Sequence, residues 1–274
     1  MHARLDWSAA ATIASREFRD RLRNRWVLAV ALVFAVFALA IAWFGMAQQG
    51  SVGYRGIDVT IVSLSSLVTY LVPLIALLLG YDAIVGERER GSLELLLSLP
   101  ITRFELLLGK FAGLAAALAA STALGFGVAL LALSNQLDAR DAMHFLGFAG
   151  SAILLGLAFL SMSLCLSVLA HNRIRASGVA IGLWFLFVLV FDMVLMGVLV
   201  LSQGALDSSV FGALLMLNPA DVFRLLNIFS SEQVQGLYGL ATVMPEHMTS
   251  PGLLAGVMLA WIAVPFAIAT WRFK

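Results

Sequence analysis

The sequence predicts an all-α polytopic membrane protein, with six transmembrane helices and an interfacial amphipathic helix ahead of them. Three observations carry that fold class. Of 274 residues, 61% are hydrophobic and only 12% charged, with a mean hydropathy of +0.97, where a soluble domain carries about 25% charged residues. A chain this short cannot hide so much apolar surface in a water-soluble core, because surface-to-volume scaling limits what one domain buries. The apolar residues fall in runs long enough to cross a bilayer, and the basic residues gather on one side of those runs.

Residues 1–25 form the interfacial segment. Trp7, Ala11, Ala14, Phe18 and Leu22 recur at spacings of three and four, with Arg16, Asp20 and Arg23 opposite. Such a helix lies in the headgroup plane, apolar side down, its arginines near anionic membrane lipid. A merely topogenic basic stretch is the alternative. Spans follow near 26–47, 59–82, 106–133, 145–170, 177–202 and 252–271, each close to the ~20 residues a bilayer crossing needs. Trp26 and Trp43 bracket the first, roughly 25 Å apart at ~1.5 Å per residue, the separation of interfacial aromatic belts.

All but three of the 17 Lys and Arg residues (Arg55, Arg140 and Arg224) fall on the side of the N-terminus. The positive-inside rule then puts both termini in the cytoplasm, and losing or gaining one span would destroy the asymmetry. The first apolar run is too long for a removable signal and reads as a retained helix. Thr102 to Glu105 fit a capping box that starts span three just after Pro100. Ser250 and Pro251 make an N-cap and N1 pair for span six. Pro73 and Pro265 lie inside spans two and six, where each removes a backbone donor and kinks are expected. The chain thus divides into residues 1–25, spans one to five at 26–202 with a cytoplasmic loop at 83–105, a periplasmic loop at 203–250, and span six with the C-terminus at 251–274.

The first cytoplasmic loop is the most informative segment. Glu87, Arg88, Glu89, Arg90 and Gly91 cluster where span two leaves the bilayer, and an apolar stretch from Leu93 through Leu96 to Leu99 leads to Pro100. That stretch is too short to span and too apolar to stand free in water, so it must dock on lipid or on a partner protein. Taken alone, a charge cluster at a helix end is usually a solvated face.

The pattern G-E-R-E-R-G-S-L-E-L-L-L-S-L-P, with G-K in the next helix, resembles the ABC-2 type membrane subunits of ABC transporters. Further blocks extend the resemblance along most of the chain: R-N-R-W before span one, Y-D-A-I-V-G-E in the loop, G-L-W-F-L-F-V-L-V-F-D in span five and L-N-P-A-D-V-F-R-L after it. It is closest to the permeases of nitrous oxide reductase maturation systems. The resemblance implies that residues 83–105 couple to a separate ATPase, with Glu87 to Gly91, Leu93, Leu96 and Pro100 as the contact residues. Arg173 and Arg175 supply the basic charge of the second cytoplasmic loop. It further implies a homodimer in a bacterial inner membrane, two copies of a cytoplasmic ABC ATPase that carry the ATP and Mg, a periplasmic β-helical copper-processing partner, and a role in maturing copper sites. Export of a sulfur species and mechanical handover of copper both stay open. So do two other readings, an exporter half for a lipid, peptide or drug, and a force-transmitting scaffold with no transported substrate.

The residues themselves exclude several chemistries. No G-x-x-x-x-G-K-[ST] loop is present to wrap a phosphate in backbone donors; Gly109-Lys110 lacks both the loop and the following hydroxyl. No metal-spaced His or Cys motif and no Ser/His/Asp constellation appears, so the chain reads as non-catalytic with no cofactor of its own. The net charge of +1 offers no footprint for nucleic acid. Cys165, the single cysteine, reads as a small packing residue.

Asp192 is the one clearly intramembrane charge, costly unless paired or hydrated. It points to the lining of a path, a contact across a dimer, or a packing residue held by a hydrogen bond. Asp82, near the end of span two, reads as an anchor for the loop. In the periplasmic loop, Asn218, Pro219 and Asp221 signal a helix start, with Val222, Phe223, Leu225, Leu226 and Phe229 as its apolar face, and Ser230 and Gln233 could open a second. That face needs cover, which predicts a docking platform of Asp221, Phe223, Arg224 and Leu226 for a periplasmic partner, against a membrane-lying lid. Met244, His247 and Met248 combine soft ligands suited to Cu(I), a weak signal beside interfacial packing.

Overall fold

The computed structural model describes residues 7–23, 26–44, 57–135, 137–202, 207–228 and 248–273. Phe229, Ser230, Gln233, Met244 and His247 lie outside them, as do the side chains of Trp26 and Trp43. Among the described residues every regular element is helical: α1 (Trp7–Arg23), α2 (Trp26–Phe44), α3 (Ile57–Gly80), α4 (Val85–Glu89), α5 (Ser92–Leu97), α6 (Arg103–Leu133), α7 (Ala139–Leu169), α8 (Arg173–Phe185), a π-helical turn (Leu186–Val190), α9 (Phe191–Leu201), α10 (Ser208–Met216), α11 (Pro219–Ile228) and α12 (Pro251–Arg272). Six crossings result. α3, α6, α7, the rod of α8, π turn and α9, and α12 are each long and apolar enough alone. α2 is the sixth, at an angle of 63° to α1.

Local signals explain several ends. The capping box before α6 is present in both directions: Glu105 N donates to Thr102 Oγ1 at 3.2 Å, and Thr102 N to Glu105 Oε2 at 2.7 Å. α7 begins earlier than hydropathy suggests, because Asp138 Oδ1 accepts the Asp141 N–H at 2.7 Å. Asn172 starts α8 in the same way, accepting from Arg175 N. Ser250 precedes Pro251 as expected but makes no side-chain cap bond. α3 and α12 run on through Pro73 and Pro265 without a break.

α7 is the centre of the bundle and packs against α3, α6, α11 and α12. α6 is the second axis and carries α1 and α2 on its other side. Gly125 explains how close α2 comes, since a Cβ there would sit 2.6 Å from that of Phe34. Aromatic rings stitch four helices together, from Phe34 to Phe126 (5.2 Å), Phe126 to Phe148 (5.4 Å) and Phe148 to Phe223 (5.9 Å). Cys165 is buried in this core.

The structure corrects one expectation. α10 and α11 meet at 116°, and α11 turns inward against α3, α7 and α12. Asp221 and Phe223 are buried, and Leu226 packs on the core. The apolar face assigned to a partner is therefore covered by the chain's own helices, and Asp221, Phe223, Arg224 and Leu226 do not form a docking platform. On α1, Ala10, Ile13, Ala14 and Glu17 face α6, while Trp7, Ala11 and Leu22 of the apolar stripe stay exposed.

Candidate partner surface and paired charges

One end of the bundle carries α1 and the connection from α3 to α6; it holds most of the basic residues and is called the basic end below. The connection is short helical turns held to its neighbours. Where α3 gives way to α4, two serines of α7 bond the backbone, and the first N–H groups of a helix need such partners. Ser163 Oγ donates to Leu77 O (2.6 Å), and Ser167 Oγ accepts from Ile84 N (2.9 Å) and Val85 N (3.1 Å). Asp82 is gripped by Arg173, with Nη2 2.8 Å from Oδ2 and Nε 2.6 Å from Oδ1. Its carboxylate lies over Gly86, where a Cβ would come within 2.2 Å of Oδ1, so a side chain there would push Asp82 from its place.

The charges that follow are engaged as well. Arg88 donates to Ala170 O (2.8 Å) and Val168 O (3.3 Å), the carbonyls at the C-terminal end of α7. Glu89 accepts the Arg173 N–H (2.9 Å) at the start of α8, where an acid suits the helix dipole. Arg90 Nε donates to Gly86 O (3.0 Å). Gly91 takes φ +72°, which lets the chain reverse into α5. Arg175 remains exposed. The cluster thus fastens α4 to the connection between α7 and α8.

Glu87 points the other way, to Lys110 (3.1 Å) and to the Ser92 hydroxyl. Burial raises its carboxyl, but the Ser92 hydrogen bond, Lys110 and Arg90 outweigh that and hold it below the ordinary carboxylate range. Lys110 Nζ also lies 3.3 Å from Glu17 of α1. Beyond these anchors α5 presents a surface. Leu93 is 7% exposed and turned into the core, and Leu96 is half-buried, whereas Leu95 is 72% and Leu99 53% exposed. Pro100 and Phe104 are exposed beside them. Leu93 and Leu96 therefore support the surface from below, and Leu95 and Leu99 form it.

At the far end, Asp192 is paired. Arg224 Nη1 lies 2.8 Å from Asp192 Oδ2 and 2.8 Å from Asp221 Oδ1. Asn218 Nδ2 donates to Asp221 Oδ2 (2.9 Å) and to Phe187 O (2.8 Å) inside the π turn. A π turn disturbs the regular backbone ladder, and Asn218 satisfies a carbonyl there. Trp184 Nε1 donates to Tyr70 O (2.9 Å) one turn earlier. Asp192 and Arg224 line a cavity of about 260 Å³ with Ser65, Ser66, Tyr70 and Asn227. Among the described residues no three His, Cys, Asp or Glu side chains gather as a metal site would need, and Met248 packs on the core.

Lys110, Glu17, Ser163, Ser167 and Asn218 were not singled out as partners from sequence. Lys110 carried a signal, the one charge of α6 beyond its first turn, set between Gly109 and Gly113, which must find an acid nearby.

Residues 11–274 match the profile of the ABC-2 family transporter proteins. The chain is 46% identical over 269 residues to the probable ABC transporter permease protein NosY of Pseudomonas aeruginosa, covering 96% of this chain and 97% of that one. It is 45% identical over 266 residues to the protein of the same name from Stutzerimonas stutzeri, covering 96% of each.

Proposed function

The chain belongs to the ABC-2 family of transporter permeases, and from that premise we propose that it is the membrane half of a homodimeric ABC complex that serves maturation of the copper sites of nitrous oxide reductase. Two copies of a cytoplasmic ABC ATPase bind ATP and Mg and supply the work. The basic end faces the cytoplasm, with both termini, in a bacterial inner membrane. A periplasmic β-helical copper-processing protein engages the opposite end. Since α11 is internal, the far-end surface left for that protein includes exposed Leu131, Met143 and Leu201.

The observation that carries the coupling is the contrast within α5 and its flank. Leu95 and Leu99 are bare apolar residues outside the bundle, on a short helix whose approach is fastened to α7 and α8 by Asp82–Arg173, Arg88 and Glu89. Two exposed leucines on an anchored turn suit a protein cleft, and the anchors pass a push on α5 into α3, α7 and α8. The likeness to NosY permeases, together with the loop, span-five and α11 sequence blocks, supports the copper-enzyme role.

The test is complementation of a host that lacks this gene with the wild-type chain, Leu95→Glu or Leu99→Glu. Both variants are expected to insert normally, to lose co-purification with the ATPase, and to leave the reductase deficient in copper. Full ATPase association and normal copper content in both would overturn the reading.

A further inference from the structure

Among the described residues Lys110 is the one buried cation, 4% exposed in α6. An ammonium so placed must be neutralised by the chain itself. Its two carboxylates come from different elements, Glu17 on α1 at 3.3 Å and Glu87 on α4 at 3.1 Å. Each acid is held again from behind, Glu17 by Arg21 at 3.2 Å and Glu87 by Ser92.

The glycines on either side of Lys110 bring α1 into range. A Cβ at Gly109 would lie 2.8 Å from Ala10 O, and one at Gly113 would lie 2.6 Å from Ala14 O. The backbones of α1 and α6 therefore touch, as at small-residue interfaces between membrane helices. A polar cavity of about 390 Å³ opens between α1 and the loop, lined among others by Arg16, Asp20 and Arg90, so the cluster sits at the edge of water while its ammonium stays covered.

We propose that Lys110 locks α1 to α4, so that the N-terminal helix and the ATPase-facing loop move as one input arm. This rests on the coupling reading above and extends it. Separating either acid from Lys110 takes away one of the two carboxylates that balance a buried ammonium, and losing both would strand it, which proteins resist strongly. A push received at Leu95 and Leu99 therefore carries α1 along with α4 and the start of α6. Because α2 follows α1 in the chain, the first crossing receives the motion together with α3 and α6. Lys110 is a positioning residue and touches neither nucleotide nor cargo.

Spin labels at Arg16→Cys on α1 and Glu94→Cys on α5, both exposed sites, read the lock in a Cys165→Ala background. The protein is the full permease–ATPase complex in nanodiscs, with one labelled copy per complex. The distance between the labels is expected to stay the same, within about 2 Å, between nucleotide-free and ATP-trapped states, whereas a one-turn slide of one element past the other, about 5.4 Å, would change it. Lys110→Met is expected to broaden the distance and make it depend on nucleotide. Adding Glu17→Gln and Glu87→Gln to Lys110→Met removes the unpaired carboxylates; this triple variant regains thermal stability but not the fixed distance.

A distance that shifts with ATP while Lys110 is intact, or one that stays fixed in both lysine variants, overturns the lock. Leu95→Glu and Leu99→Glu remove ATPase binding under the coupling reading but leave the resting label distance unchanged. Failure of one reading is thereby distinct from failure of the other.

Discussion

The two ends of the bundle each hold one cation between two carboxylates, and they differ in which partner is kept from water. At the basic end the Lys110 side chain is 5% exposed and its acids Glu17 and Glu87 reach the edge of a cavity. At the far end the hidden member is an acid, Asp221, while Arg224 is 28% and Asp192 35% exposed beside the 260 Å³ cavity. Burying the shared member makes a joint, because a covered ammonium stays balanced only while its carboxylates remain beside it. Leaving the shared Arg224 and one acid partly open to a cavity makes a clasp, because the Asp192–Arg224 pair is less tightly enclosed than Lys110 and its acids. The surroundings agree with this. α1 is pressed backbone to backbone on α6, whereas α9, which carries Asp192, has no buried residue and follows a π turn.

That contrast can be broken or sharpened by substitution, with the stability of the detergent-purified chain read by thermal denaturation. Arg224→Met has the largest expected effect. It strands Asp221 in the core, and removing one partner of a buried pair costs about 3–5 kcal/mol; a loss near the low end is expected because Arg224 is partly open to the cavity. Gly113→Leu is expected to cost about 2 kcal/mol by overpacking, since its Cβ meets the Ala14 carbonyl at 2.6 Å, and to free α1 for proteolysis while the remaining helices stay protected. An α1 that stayed protected would show that the joint does not depend on the glycine contact. Asp192→Asn is the mildest, about 1 kcal/mol or less, because the pair is partly open and Arg224 keeps Asp221. A loss as large as that of Arg224→Met would erase the distinction between joint and clasp.

Much of the fold was legible before any coordinates, and for a local reason. Whether a run of residues enters a bilayer depends on the summed transfer of its own side chains, so the six crossings follow from hydropathy, and the basic residues order them. Caps are equally local: Thr102 and Glu105 announce the start of α6 within four residues. The exposed stretch between Leu93 and Leu99 was recognisable as a surface in need of cover, but hydropathy could not say that Leu93 turns in and Leu95 out.

Tertiary structure alone decided the pairings. Glu17 and Lys110 are 93 residues apart in the chain, Arg173 and Asp82 are 91 apart, and Arg224 and Asp192 are 32 apart. An apolar face says only that something must cover it. For Phe223 and its neighbours the cover proved to be the chain's own α3, α7 and α12, because the 116° turn between α10 and α11 folds them inward. Transfer energy is a property of each residue in its solvent and can be summed along a sequence, whereas the meeting of two charges depends on how helices pack, which no single segment contains.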